Sequence, residues 1–275
     1  MGILKTITEE YFGETIRKED EINIDGLDVE IVSFTDNNKK FHKKGYKPKD
    51  KDNLKELLER MIEVRGNKGD FNDIDTSNIK NMNSLFYKIE RFNGDISGWD
   101  VSNVRIMSNM FYGATSFNQP IEIWDVSNVE WMNGMFYGAT SFNQPIENWD
   151  VSKVIYMDNV FGGAKSFNQP IGDWDVSNVI SMNSMFDGAK SFNQQIGDWN
   201  VSKVTDMCSM FCEATSFNQQ IGKWDVSNVE NMNYMFYGAI SFNQDLSKWD
   251  LNGKRISDMF DNCPIKDEYK PKIIE

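Results

Sequence analysis

Seven of the eight tryptophans in this chain stand at 99, 124, 149, 174, 199, 224 and 249, one every 25 residues. A fixed period of this length decides the architecture before any local propensity is weighed, because so short a unit cannot bury its own apolar face and has to stack on its neighbours. The unit from Trp99 reads W-D-V-S-N-V-R-I-M-S-N-M-F-Y-G-A-T-S-F-N-Q-P-I-E-I, and the later units keep that skeleton. Ile74 takes the tryptophan's place in an earlier unit, with Asp75, Ser77, Ile79, Met82, Leu85, Phe86 and Phe92 in register behind it, so about eight units run from residue 74. The last unit is degraded: Met259 and Phe260 come one residue early after Trp249, and Lys270, Lys272 and Glu275 close the sequence. Atypical end units are what a stacked array requires.

Within a unit the periodicity changes. Val104, Met107, Met110 and Phe111 follow a helical stripe, with Ser102 in front as N-cap and Gly113 behind, where a left-handed residue ends a helix. Phe117, Gln119 and Ile121 then alternate with polar residues and predict a short strand; Pro120, Pro145 and Pro170 mark its unpaired rim. The expected fold class is an α/β repeat solenoid of strand-turn-helix coils behind a small α+β N-terminal region. Its boundaries are an N-terminal β-hairpin and linker over 1–50, a capping helix over 51–73, the repeats over 74–262 and a tail over 263–275. The capping helix rests on Asp52 through Arg65, which lines up Leu54, Leu57, Leu58, Met61 and Ile62 on one face to cover the first coil. Ile22–Phe34 alternates around an Asp-Gly pair and predicts the hairpin, and residues 35–51 read as a Lys-rich loop holding His42.

Charge narrows the function classes. The formal net charge is −13, and the repeats carry most of it: residues 1–70 hold 14 basic and 16 acidic side chains, residues 71–275 hold 15 and 26. Such a surface repels phosphate backbones, so a nucleic-acid partner is not expected. No apolar run approaches the 18 residues of a membrane span, and acidic residues interrupt the opening stretch where a signal peptide needs an apolar core. The expectation is no membrane insertion and a cytoplasmic location as written, or the cell surface for a chain whose signal was removed. The opening MGILKT fits an acylation pattern too short to weigh against chance. One histidine and three cysteines, Cys208, Cys212 and Cys263, offer no nucleophile–base pair and no disulfide framework. Neither an enzyme, a cofactor nor a metal site is expected; Cys208 and Cys212, four apart, are at most half a zinc site.

Two columns of polar residues recur. Asp75, Asp100, Asp125, Asp150, Asp175, Asp225 and Asp250, with Asn200 in the same row, read as turn residues accepting backbone N–H groups, calcium being the less favoured use. Asn118, Asn143, Asn168, Asn193, Asn218 and Asn243 read as an amide ladder between coils, or as a polar surface for glycan. Positions that vary between units are the informative ones, since stacking does not dictate them. One row carries Ile106, Trp131, Tyr156, Ser181, Asp206 and Asn231; another carries Tyr87, Tyr112, Tyr137, Gly162, Asp187, Cys212 and Tyr237. Aromatics concentrated on an exposed row are the material of binding hot spots, which makes Trp131, Tyr156, Tyr112, Tyr137, Ile106 and Tyr87 the candidate partner-binding residues. Cover by residues 1–45, or self-association through a second copy, is the competing use of that row.

The unit W-D-V-S-N-V-x-x-M-x-x-M-F-x-G-A-x-S-F-N-Q-x-I resembles the 25-residue BspA-like leucine-rich repeats of bacterial surface proteins and some microbial eukaryotes. The lead-in Asp73-Ile74-Asp75-Thr76-Ser77-Asn78-Ile79 is similar to that family's N-terminal segment, and the likeness covers about residues 50–262. It implies a leucine-rich-repeat-like stack of about eight coils, with Met and Phe standing in for Leu, and a non-catalytic role in adhesion or protein binding. The expected function is therefore a protein-interaction scaffold or adhesin-type module whose partner is a protein, of host or cell-surface origin. Glycan or cell-surface binding through the Asn/Gln ladder is the alternative.

Overall fold

The computed structural model describes residues 22–35 and 42–272. Strand β1 (Val29–Thr35) pairs antiparallel with β2 (His42–Pro48), from Val29 opposite Pro48 to Thr35 opposite His42. The hairpin is thus not the one expected inside Ile22–Phe34: the Asp25-Gly26 turn only leads into β1, and β2 is built from the stretch read as a Lys-rich loop. Helix α1 (Lys51–Arg65) begins at Asp50, whose carboxylate accepts the Asp52 and Asn53 N–H groups, and ends at Gly66 with φ 74°. Leu54, Leu57, Leu58 and Met61 are its buried residues, as the stripe predicts, and they join one hydrophobic cluster with the repeats.

Both ends of this region are fastened to the first unit. Tyr46 of β2 donates to the Asp73 carbonyl and accepts from Asp75 N–H, each at 2.8 Å. Arg65, the last residue of α1, grips the buried Asp73 carboxylate with both guanidinium nitrogens at 2.7 Å. A bidentate pair of this kind fixes orientation as well as distance.

Neither the helix nor the strand expected inside each unit forms. Val104–Phe111 and its equivalents are chains of turns, and Phe117–Ile121 has no ladder partner on its backbone. The N–H groups show why. Met107, Asn109, Phe111 and Gly113 donate to Trp131, Asn133, Met135 and Tyr137 of the following unit at 2.6–2.9 Å, while Met110, Tyr112 and Ala114 close i→i+3 turns onto Met107, Asn109 and Phe111. A helix would have spent all of them internally, and an isolated eight-residue helix is marginal. The turns require left-handed residues at Asn109 (φ 57°) and Gly113 (φ 69°). Gly113 is left-handed as expected, but it sits inside the turn chain and not at a helix end. Apolar spacing alone could not separate the two, because turns of three and four residues bring the same side chains inward.

Parallel bridges then run from unit to unit through Asn81, Ile106, Trp131, Tyr156, Ser181, Asp206, Asn231 and Arg255. The core between them is layered. Phe86, Phe111, Phe136, Phe161, Phe186, Phe211, Phe236 and Phe260 form one column of rings 5.3–5.8 Å apart. A second column runs from Phe92 to Phe242, and the paired rings within a unit, such as Phe111 and Phe117, lie 3.8 Å apart. The indoles of Trp99, Trp124, Trp149, Trp174, Trp199 and Trp224 each donate to a backbone carbonyl two units back in the core, as Trp174 Nε1 does to Ile146 at 3.1 Å. The buried Trp249 Nε1 has no acceptor.

Candidate functional site

The turn chain that joins the units also displays the variable rows. Its buried members are Met107, Met110 and Phe111; the intervening residues Ile106, Ser108, Asn109 and Tyr112 reach solvent in part. The two predicted rows therefore belong to one stretch of backbone, held rigid by the bonds just described. Ile106, Trp131 and Tyr156 occupy consecutive bridge positions. Trp131 is 42% exposed and Tyr156 36%, large values for aromatic rings; Ile106 is half-buried.

The tyrosine row is a separate object. Tyr87 stacks on Tyr112 at 4.8 Å and Tyr112 on Tyr137 at 4.5 Å, so three rings form a continuous pile ending on exposed Tyr87. At the other end a Cβ on Gly162 would lie 2.8 Å from the Tyr137 ring, so glycine there lets the last ring lie flat on the backbone. Burial, with Tyr112 and Asp187 nearby, raises the Tyr137 pKa above the usual phenol value. Among the described residues no ring contact joins this pile to Trp131 or Tyr156. Further along the row, burial and the neighbouring Asp187 push the Cys212 thiol up to about 12, which leaves it without thiolate character at neutral pH.

Between the rows lies a hollow of about 380 Å³ bordered by Asn109, Tyr112, Asn133, Tyr137, Asp158 and Asn159, with Gly134 at its base. Asp158 ties three units together: it accepts Asn133 Nδ2 at 2.8 Å, the Asn183 N–H at 3.2 Å and the Ser181 hydroxyl. Sequence reasoning missed this hollow. Its signal was Gly134, the one glycine in a column otherwise filled by Ser84, Asn109, Asn159, Ser184, Ser209 and Tyr234. It also missed Tyr234, which is 41% exposed.

The polar columns are used inside the molecule. Asp100, Asp125, Asp150, Asp175 and Asp225 each accept the N–H two residues on at 3.0 Å, and Asn200 does the same for Ser202 at 3.2 Å. Asn93, Asn118, Asn143, Asn168, Asn193 and Asn218 each accept through Oδ1 the N–H of the Asn one unit later at 2.9 Å, and Asn243 at the end of the column accepts the Lys266 N–H at 3.0 Å. Gln119, Gln144 and Gln194 add their side-chain N–H to the preceding unit's Asn carbonyl at 3.0 Å. Among the described residues no three His, Cys, Asp or Glu side chains gather as metal ligands would, and no helix is long and apolar enough to cross a membrane. The acylation pattern and most of the 1–45 segment lie outside the described residues.

A repeated sequence whose units bond to their successors, with invariant residues inside and variable ones outside, defines a tandem-repeat protein. The chain belongs to the family described as Mycoplasma protein of unknown function, DUF285, whose family model matches residues 52–173 and again 156–270. No curated protein and no solved structure matches it.

Proposed function

We propose that the protein is a non-catalytic interaction module, a leucine-rich-repeat-type solenoid of the BspA-like kind, that holds a protein partner against the face carrying Trp131 and Tyr156. The observation that carries this reading is their exposure on a backbone already fixed by its own hydrogen bonds. Rings held on a rigid scaffold lose little entropy on binding and bury large apolar area, which is how hot spots gain their energy. Ile106, Tyr112, Tyr137 and Tyr87 extend the same face. The test is a photo-crosslinking amino acid placed at position 131 or 156 in the native cell, with position 123 as control, since Ile123 is 73% exposed and outside the row. Specific adducts from 131 and 156 and none from 123 support the reading; equal labelling from all three, or none, removes it.

A second reading, glycan binding, draws on a different observation. A polar groove of about 980 Å³ runs along the C-terminal units, where Gln195, Gln220 and Asp245 face Asp198, Lys223 and Lys248. Hydroxyl-rich ligands suit such a mixture of donors and acceptors. The ladder glutamines Gln219 and Gln244 are committed to Asn193 and Asn218, and Asp245 accepts the Ser247 N–H, so Gln195, Gln220, Lys223 and Lys248 would do this work. A glycan array blank at high protein concentration eliminates it.

A further inference from the structure

We infer that the hollow over Gly134 is a pocket for the guanidinium group of an arginine presented by a basic polypeptide. This deepens the interaction-module reading and rests on it. The lining is rich in acceptors: Asp158 supplies a carboxylate, and no Lys or Arg lines the space. Asn133 is held in one orientation because its Nδ2 donates to Asp158, which leaves its Oδ1 without a donor among the described residues. The Asn109 Oδ1 lies over the base of the hollow, 2.4 Å from where a Cβ on Gly134 would be. An ammonium satisfies acceptors from one point, whereas a planar guanidinium offers five N–H donors spread over a fork, matching acceptors carried on separate units. The stacked Tyr112 and Tyr137 rings turn their faces to each other along the pile, so they wall the hollow and do not supply a cation–π platform. A net charge of −13 draws basic segments toward the molecule and favours fast capture.

Gly134 gives a variant that fills the pocket without attacking the fold. Its φ of 61° is matched by Asn109 at 57° and Asn159 at 56° in the adjoining units, so Gly134→Asn installs a residue the column already accepts. The only atom a Cβ meets closely is the end of the flexible Asn109 side chain. The probe is a blocked Gly-Ser peptide with three spaced arginines, against the same peptide with citrulline, which keeps the shape and loses the charge. Isothermal titration of the full chain should show saturable binding of the arginine peptide, weakened about tenfold or more both by citrulline and by Gly134→Asn, with an unchanged melting temperature for the variant. No binding of the arginine peptide, or equal binding by wild type and Gly134→Asn, overturns the pocket; the latter would reveal diffuse attraction to an acidic surface. Loss of the pocket together with retained 131 and 156 crosslinks would leave the interaction-module reading standing.

Discussion

Gly172, Gly197 and Gly222 hold the same place in three consecutive units, and Cβ atoms there would lie 2.3, 2.2 and 2.2 Å from the carbonyl oxygens of Gln195, Gln220 and Asp245. Backbone oxygens locked into a repeat cannot step aside, so Gly197→Ala is expected to cost about 1–3 kcal/mol, the usual penalty for forcing an atom into a packed site. The preceding two units carry Glu122 and Glu147 at this place, where the following unit supplies Pro145 and Pro170, so glycine is demanded by the partner and not by the turn. Urea unfolding checks this: Gly197→Ala should lower the midpoint, and Gly134→Asn should not. The indoles offer a second comparison between equally buried residues. Trp174 donates to Ile146, while Trp249 Nε1 donates to nothing. Phenylalanine at 174 therefore loses a hydrogen bond that phenylalanine at 249 does not, and should be the more destabilising by about 1 kcal/mol in the same measurement.

At the scale of the element, the turn aspartates tie stability to pH. Hydrogen bonds from the side chains and backbone N–H groups of Ser152, Ser177 and Ser227 hold the Asp150, Asp175 and Asp225 carboxyls below their ordinary pKa of 3.8. A depressed folded pKa contributes stability that is complete above 3.8 and is lost as pH falls through the folded value. Acid titration of the thermal melt should therefore show a decline that steepens below about pH 4, and Asp150→Asn should remove part of it, since Asn200 already performs the same turn without a titrating group. A variant as acid-sensitive as wild type would rule out this origin. The element scale is also where the sequence was only partly legible. Helix α1 could be read from its stripe, because a long amphipathic helix has no competing way to place its apolar side chains. The repeat's turns could not: the stripe Val104, Met107, Met110, Phe111 suits helix and turn chain alike, and only the destination of each N–H separates them. Asn109 was the clue, a residue tolerant of positive φ in a column shared with Gly134. Likewise the rows of Trp131 and Tyr137 were legible as exposed and variable, whereas the pocket between them depends on side-chain volumes in three units at once.

For the whole molecule, the turn ladder has a direction. The N–H groups of Met107, Asn109, Phe111, Gly113 and their equivalents face the following unit, while that of Arg105 reaches back to Lys80, so at the last unit those of Ile256, Asp258, Phe260 and Asn262 find no acceptor among the described residues. Residue-resolved hydrogen exchange should show Met107, Asn109, Phe111 and Gly113 strongly protected and the final four exchanging quickly. Within 104–113 the N–H groups of Ile106 and Ser108 have no acceptor among the described residues and should exchange quickly; protection at both, as in a helix, would be incompatible with the ladder. The same arrangement explains how variable residues are accommodated: the backbone of this face joins the units, the inward side chains fill the core, and the outward ones are left free to vary. The central claim is that Trp131 and Tyr156 serve recognition and not folding. The most direct measurement is a paired one on the Trp131→Ala/Tyr156→Ser double variant, recording its melting temperature and its retention of the crosslinked partner on the same preparation. The expected result is a melt within a few degrees of wild type and partner retention reduced at least tenfold; an early melt, or a stable variant that holds its partner as before, would contradict it.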